Sequence, residues 1–292
     1  MPEPRDQAST DAGTRTDEAS QPVRLDALLA ARGLARSRTA AAKLVQAGRV
    51  TVDGRPVVKP SAPVSPQAPI VVDTEDEWVS RAALKLVHAL DAFDVDPTDR
   101  VVLDVGASTG GFTQVLLHRG ARRVVALDVG HGQLDPSLAI DARVRVVEGL
   151  NARTLTADEY AALDAAAPET SLVVGDLSFI SLRLVLPVLA GAVPADDFVL
   201  LVKPQFEVGR GGVREGIVRD AALRNDALMN VLWSAWDAGL GTTGLAASPI
   251  VGTHGNHEYL ARFQRRVGGD PTEWGNPTAW IGRASELTEG AA

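Results

Sequence analysis

The chain contains no cysteine. Disulfide staples, thiolate nucleophiles, iron–sulfur clusters and cysteine zinc sites are therefore excluded together. Aromatic residues are scarce, at 4% of 292 residues, so aliphatic side chains must build most of the core. No stretch approaches the ~18 consecutive apolar residues that a membrane span needs. The first 22 residues are polar and acidic, without an apolar run, and read as a disordered tail rather than a secretory leader. These absences predict a cytoplasmic protein, long enough for one large domain and one small one.

What is present is unevenly spread. The net charge is −8, yet residues 23–72 hold eight basic side chains against two acidic ones. A basic small domain on an acidic chain points that domain towards nucleic acid. Within it, Leu25, Leu28 and Leu29 share a helical face that Gly33 ends. Ser37 caps a second helix bearing Ala40, Ala41, Leu44 and Val45, which Gly48 stops. "VTVDGRPVV" is a hairpin turning at Asp53-Gly54. An edge strand follows in the proline-rich stretch after it, and residues 73–79 form an acidic linker. Arg24, Arg36, Arg38 and Lys43 are the RNA-contact candidates of this module.

Residues 80–267 alternate helical segments with apolar strand-like runs such as "RVVLDVG", "RRVVALDVG", "SLVVGD" and "DFVLLVKP". That alternation predicts an α/β fold with a mostly parallel, doubly wound sheet. "GLAASPIVGTHGNHEYLARFQRR" adds a C-terminal antiparallel strand pair. Residues 268–292 are turn-rich and read as a loosely ordered tail.

In "VVLDVGASTGGFT" a strand runs into a glycine-rich turn and then a helix. Gly106, Gly110 and Gly111 let backbone approach a ligand closely. The dinucleotide fingerprint GxGxxG is broken by Ser108, where a pyrophosphate would press on the backbone. Asp104 precedes the turn, a poor neighbour for phosphates and a good one for a cation. Asp128 ends the next strand, placed to accept from ribose hydroxyls. Together they indicate S-adenosylmethionine, with Phe112 and Asn151 where its ends would pass.

The segments "DVGASTGGFTQVLL", "ALDVGHGQL", "DLSFISL", "LVKPQFEVG", "GIVRD" and "GNHEYL", behind "RLDALLAARGLARSRTAAAKLV", are similar in kind and order to the TlyA family. The resemblance covers roughly residues 23–265. It implies an S4-type RNA-binding domain joined to a Rossmann-like methyltransferase domain of the FtsJ/RrmJ type. It further implies 2′-O-methylation of cytidine in ribosomal RNA, on the small subunit, the large, or both. Some members carry the name haemolysin.

The resemblance also implies a Lys-Asp-Lys-Glu tetrad, here Lys85 in "SRAALKL", Asp176 in "GDLSF", Lys203 in "LVKPQF" and Glu258 in "GNHEYL". Lys203 ends an apolar strand and is followed by a proline, so it opens from the sheet into a loop. A ribose hydroxyl is a weak nucleophile, and its proton must leave as it attacks. Lys203 takes the role of base, with Lys85 favouring its neutral form and Asp176 orienting it near the sulfonium. Glu258 holds a lysine or the ribose. The family's glycines before the first lysine are replaced by Ala82 and Ala83, which shifts the expected helix start.

Other motifs narrow the acceptor. "DLSF" stands where amino-methyltransferases hold a flat amine, and carbon-5 pyrimidine chemistry needs the missing cysteine. "HGNHE" lacks the helical spacing and third ligand of a zinc site, so no metal is implied. "EVGRGGVREGIVRD" reads as a flap whose Arg210 and Arg214 meet RNA phosphates. The rival readings are a binding-only ribosome-assembly factor and a membrane-active haemolysin. The complete tetrad opposes the first, and the lack of a spanning or broad-faced amphipathic helix opposes the second.

Overall fold

In the computed structural model the described residues are 22–35, 37–46, 48–72, 78–209, 212–252, 254–266 and 275–290. Chain contacts divide it into two units, the second beginning at Trp78.

The first unit follows its punctuation. After β1 (Val23–Arg24), α1 (Leu25–Ala31) buries Leu25, Leu28 and Leu29, and Gly33 takes a left-handed φ of 69° beyond its end. Ser37 Oγ accepts from Ala40 N at 3.1 Å, capping α2 (Arg38–Gln46). Strands β2 (Val50–Val52) and β3 (Arg55–Pro56) flank Asp53 and Gly54, whose φ values of 51° and 74° both lie in the left-handed region of a two-residue hairpin turn. β4 (Pro63–Val64) pairs with β1, and β5 (Ile70–Val72) pairs with β2, both antiparallel.

The second unit opens with Trp78 edge-on to the His118 ring at 5.7 Å, and with Val79 N donating to Gln114 Oε1 at 2.7 Å. In chain order come α3 (Ala82–Ala92), β6 (Val101–Val105), α4 (Gly111–His118), β7 (Arg123–Leu127), α5 (Pro136–Ala139) and β8 (Val144–Val147). Then follow α6 (Ala157–Leu163), β9 (Thr170–Gly175), α7 (Leu182–Ala192), β10 (Asp197–Val202) and α8 (Pro204–Glu207). The unit ends with α9 (Ala221–Asp237), β11 (Leu240–Ala247), β12 (Tyr259–Arg265) and α10 (Ile281–Glu289).

Its seven strands lie in the order β8-β7-β6-β9-β10-β12-β11, and β12 alone runs against the others. Every residue of β6 and of β10 is buried, as expected of parallel strands covered on both faces. One face packs on α3 and α4 through Leu86, Leu90, Val115 and Leu116. The other packs on α7 and α9 through Val185, Leu189, Leu228 and Val231. The chain moves outward from β6 through β7 to β8, then returns to β9 on the other side of β6. The carboxyl ends of β6 and β9 therefore diverge into a crevice, the usual ligand position in such sheets.

One expectation is corrected. Residues 275–290 are packed rather than loose. Trp280 Nε1 donates to Thr242 O at 3.1 Å, Arg224 Nη2 donates to Thr288 O at 2.6 Å, and Ala284 and Thr288 are buried. The packing face of α10 sets Leu287 beside Ala284 and Thr288, too few large apolar residues to give a hydrophobic stripe in sequence.

Candidate active site

Segments following β6, β7, β8, β9 and β10 deliver side chains to the crevice. After β6 the backbone turns through Gly106, with φ 82°, where a Cβ would sit 3.3 Å from the carbonyl oxygen of Asp176. Ser108 N donates to Asp128 Oδ2 at 2.8 Å, and Gly130 N donates to Oδ1 at 2.7 Å. The Asp128 carboxylate thus ties the glycine loop to the end of β7. Gly110, with φ 94°, starts α4 where Leu134 and Leu138 leave no room for a side chain. A Cβ on Gly111 would strike Ser80 Oγ, so α3 and α4 meet closely here.

Asp104 lies behind this loop, not in it. It is fully buried and accepts from Thr113 Oγ1 at 2.7 Å, while its Oδ1 has no partner among the described residues. Burial pushes its carboxyl up to about 7, helped by the charges of Asp176 and Asp128 and opposed by the Thr113 hydrogen bond.

The four tetrad residues converge. Lys85 Nζ lies 2.6 Å from Glu258 Oε2 and 3.5 Å from Asp176 Oδ2. Lys203 Nζ lies 2.6 Å from Asp176 Oδ1 and donates to Ser178 Oγ at 2.8 Å. Asp176 therefore stands between the two ammonium groups, and Glu258 pairs with Lys85. Lys85, Lys203 and Glu258 are only 7%, 8% and 4% exposed. Two cations against two anions make the cluster neutral overall, the condition under which such burial is tolerable. Despite Ala82 and Ala83, α3 starts at Ala82 and still carries Lys85 into the cluster, because buried Ala83 packs against Gly111.

Two cavities meet here. One of about 390 Å³ is lined by the whole tetrad with Arg81, Phe112 and Gly252. The other, of about 520 Å³, is lined by Asp128, Leu150, Asn151, Ile180 and Phe179 among others. Gly106, Ser108, Asp176 and Ser178 line both, so the space is one bent cleft.

A model of FtsJ-like methyltransferases matches residues 78–265, and a model of the S4 domain matches residues 23–70. The chain is 52% identical over 242 residues to the 16S/23S rRNA (cytidine-2′-O)-methyltransferase TlyA of Mycobacterium tuberculosis, covering 82% of this chain and 88% of that protein. The chain belongs to the TlyA family of FtsJ-like methyltransferases. Hemolysin A of Brachyspira hyodysenteriae is 39% identical over 82% of the chain and 99% of its own length. A solved structure of a hemolysin-named protein from Streptococcus thermophilus aligns over 93% of this chain and 96% of that one, with TM-score 0.65 and 36% identity.

For a TlyA-family enzyme the cleft fits a sulfonium nucleoside. Asp128 presents a carboxylate with lone pairs to spare, apolar Leu150 and Ile180 flank it, and Asp176 sits at the bend between the two cavities. Phe112 is both core and cavity wall, being 3% exposed. Asn151 lines the larger cavity, but its side-chain oxygen already accepts from Arg153 N at 3.0 Å. Asp104 and Gly110 line neither cavity.

Sequence reasoning missed three contributors. Ser178 holds Lys203, and its only signal was its place two residues after Asp176. Phe179 is 91% exposed with φ 63°, an outlier for a bulky residue, and its ring lies 5.3 Å from that of Phe206. Glu207 accepts from Ser181 Oγ at 2.5 Å and from Leu182 N at 2.7 Å, joining the Lys203 loop to the start of α7.

In the first unit, Asp26 is buried beneath exposed Arg24 and Arg38, at 2.7 and 3.6 Å from their guanidinium groups. The Arg24 hydrogen bond holds its carboxyl below the usual range. Lys43 is exposed on α2, and Arg214 is exposed on a hairpin of the second unit. Arg36 and Arg210 lie outside the described residues. No helix among the described residues is long and apolar enough to cross a membrane.

Proposed function

We propose that the protein transfers a methyl group from S-adenosylmethionine to the ribose 2′-OH of cytidine in ribosomal RNA, in the cytoplasm. The observation that carries this is the Lys85–Glu258 and Lys203–Asp176 arrangement at the wall of a cleft that continues beneath the glycine loop. The name of the 52%-identical relative supplies the acceptor.

When bound, S-adenosylmethionine supplies an electrophilic methyl on a positively charged sulfur. Asp128 receives the cofactor's ribose hydroxyls, and the Leu150–Asn151 and Ile180 surface receives its adenine. Lys203, aimed by Asp176 and Ser178, acts as the free amine once its own proton has passed to solvent, and then accepts the proton of the 2′-OH as that oxygen attacks. Lys85, fixed by Glu258, steadies the negative charge growing on the oxygen. Exposed Phe179 offers a ring face at the cleft for a base swung out of its stack.

The S4-type unit grips RNA through Arg24, Arg36, Arg38 and Lys43, with Asp26 fixing the directions of Arg24 and Arg38. Arg210 and Arg214 add phosphate contacts from the methyltransferase unit.

The test is transfer of labelled methyl to purified small and large ribosomal subunits. Label in RNA that makes one cytidine linkage resist alkaline cleavage is expected. Cofactor binding without transfer to either subunit overturns the reading and favours a binding-only role.

A further inference from the structure

Residues 214–217 form a small exposed hairpin. Arg214 N donates to Ile217 O at 3.1 Å and Ile217 N donates to Arg214 O at 2.9 Å, around left-handed Glu215 and Gly216. Its base is gripped from one side by buried Arg224, whose Nη1 donates to Arg219 O at 2.7 Å. From the other side it is gripped by Asn256, which is only 3% exposed.

Asn256 spends its whole amide on this hairpin. Its Oδ1 accepts from Val218 N at 3.0 Å and its Nδ2 donates to Gly216 O at 2.7 Å. Its own carbonyl accepts from Gly252 N at 2.9 Å. Gly252 is pressed onto the catalytic cluster, since a Cβ there would lie 2.6 Å from Glu258 Oε1. Glu258 follows Asn256 by two residues and holds Lys85. The hairpin that displays Arg214 is thus linked through one side chain to the carboxylate that fixes a catalytic lysine.

We propose that Asn256 is a positioning residue that couples RNA bound at the 214–217 hairpin to the placement of Glu258 and Lys85. The proposal rests on the methyltransfer reading above. An RNA phosphate on Arg214 would steady the hairpin, Asn256 would carry that to the 252–258 loop, and Lys85 would be held where the reacting oxygen arrives. The test measures the coupling itself.

The experiment is a double-mutant cycle, Asn256→Ala with Arg214→Ala, in the full chain with ribosomal subunits as substrate. Methyl-transfer kcat and KM are read beside calorimetric affinity for S-adenosylmethionine. Asn256→Ala is expected to lower kcat about 10-fold, with cofactor affinity within about twofold. Arg214→Ala alone should lower kcat and raise KM for the subunit, and in the Asn256→Ala background its effect on kcat should vanish. Should Asn256→Ala fail to fold, Asn256→Asp keeps the acceptor for Val218 N, loses the donor to Gly216 O, and reads the same quantity. Unchanged kcat in the Asn256 variant, multiplicative effects of the two changes, or a parallel loss of cofactor affinity would each overturn the coupling. A wild-type chain that binds cofactor and transfers nothing would instead sink the methyltransfer reading, and the coupling with it.

Discussion

At the amino end of the central sheet, Asp197 of β10 accepts from Arg262 Nε at 2.9 Å and Nη2 at 3.1 Å, and Arg100 lies 3.4 Å away. The same two arginines also donate to Phe93 O at 2.8 Å and Ser171 O at 2.6 Å. At the carboxyl end, two lysines face two carboxylates across a cavity wall. Both ends bury charge, but with different chemistry. The guanidinium groups are planar forks committed to fixed acceptors and stay protonated, which suits a structural brace. The lysines are compact, rotatable and able to give up a proton, and space for a ligand opens beside them. What separates a brace from a site here is the kind of cation and the room next to it, not the amount of buried charge.

The strongest way to break that comparison is Lys203→Arg. It keeps the positive charge next to Asp176 and removes the ability to accept a proton. Transfer should fall by about 10³-fold or more, while thermal unfolding stays near wild type. Asp197→Ala is the converse change. Removing one partner of a buried pair should cost about 3–5 kcal/mol in denaturant unfolding, with activity per folded molecule retained. If instead Asp197→Ala spared stability and abolished transfer, the two ends would have exchanged roles.

Gly106→Ala is expected to act on both counts more mildly. It strains a residue at φ 82° and pushes on the Asp176 carbonyl. It should lose at least about 1 kcal/mol of stability and weaken cofactor binding measured by calorimetry.

Asp104 sharpens the contrast, because it is a buried acid with no cation beside it among the described residues. Its carboxyl stands at about 7 in the fold against an ordinary 3.8. Between those values the folded chain keeps a proton that the unfolded chain releases. Its contribution to stability is therefore greatest at the acid end of the window and falls as pH rises, by up to about 1.4 kcal/mol per pH unit. Asp104→Asn should remove that fall, gaining stability over wild type at pH 8 and least at pH 4. Unfolding at several pH values checks it.

The smallest effect is expected in the S4-type unit. Arg38→Ala should lower the slope of log affinity for RNA against log salt by about one, leaving kcat at saturating subunit unchanged.

Much of this could be read before any coordinates. The apolar runs of β6 and β10 and the glycines at 106, 110 and 111 announce a parallel sheet with a glycine-rich turn between strand and helix. Lys203, stranded between five apolar residues and a proline, announces itself as well. Other features are tertiary and leave no local trace. Lys85 and Glu258 lie 173 residues apart and meet only because β12 is inserted beside β10. Asp176 comes within ion-pair reach of both lysines, 3.5 Å from Lys85 and 2.6 Å from Lys203, a juxtaposition that no local pattern shows. Asp104 looked like a wall of the ligand site, yet alternation along β6 turns it into the core beneath α4, onto Thr113. Packing of α10 was invisible because Leu287 is joined on its contact face only by Ala284 and Thr288, which make no stripe.

The central claim is that Lys203 takes the proton of the acceptor oxygen. Single-turnover methyl transfer to ribosomal subunits, with Lys203→Ala and Lys203→Arg beside wild type and cofactor affinity measured for all three, tests it most directly. The account predicts that both variants bind cofactor within about twofold of wild type and lose about 10³-fold or more in rate. A Lys203→Arg enzyme that transfers methyl at close to the wild-type rate would contradict it, leaving the positive charge, and not the base, as what the site requires of that residue.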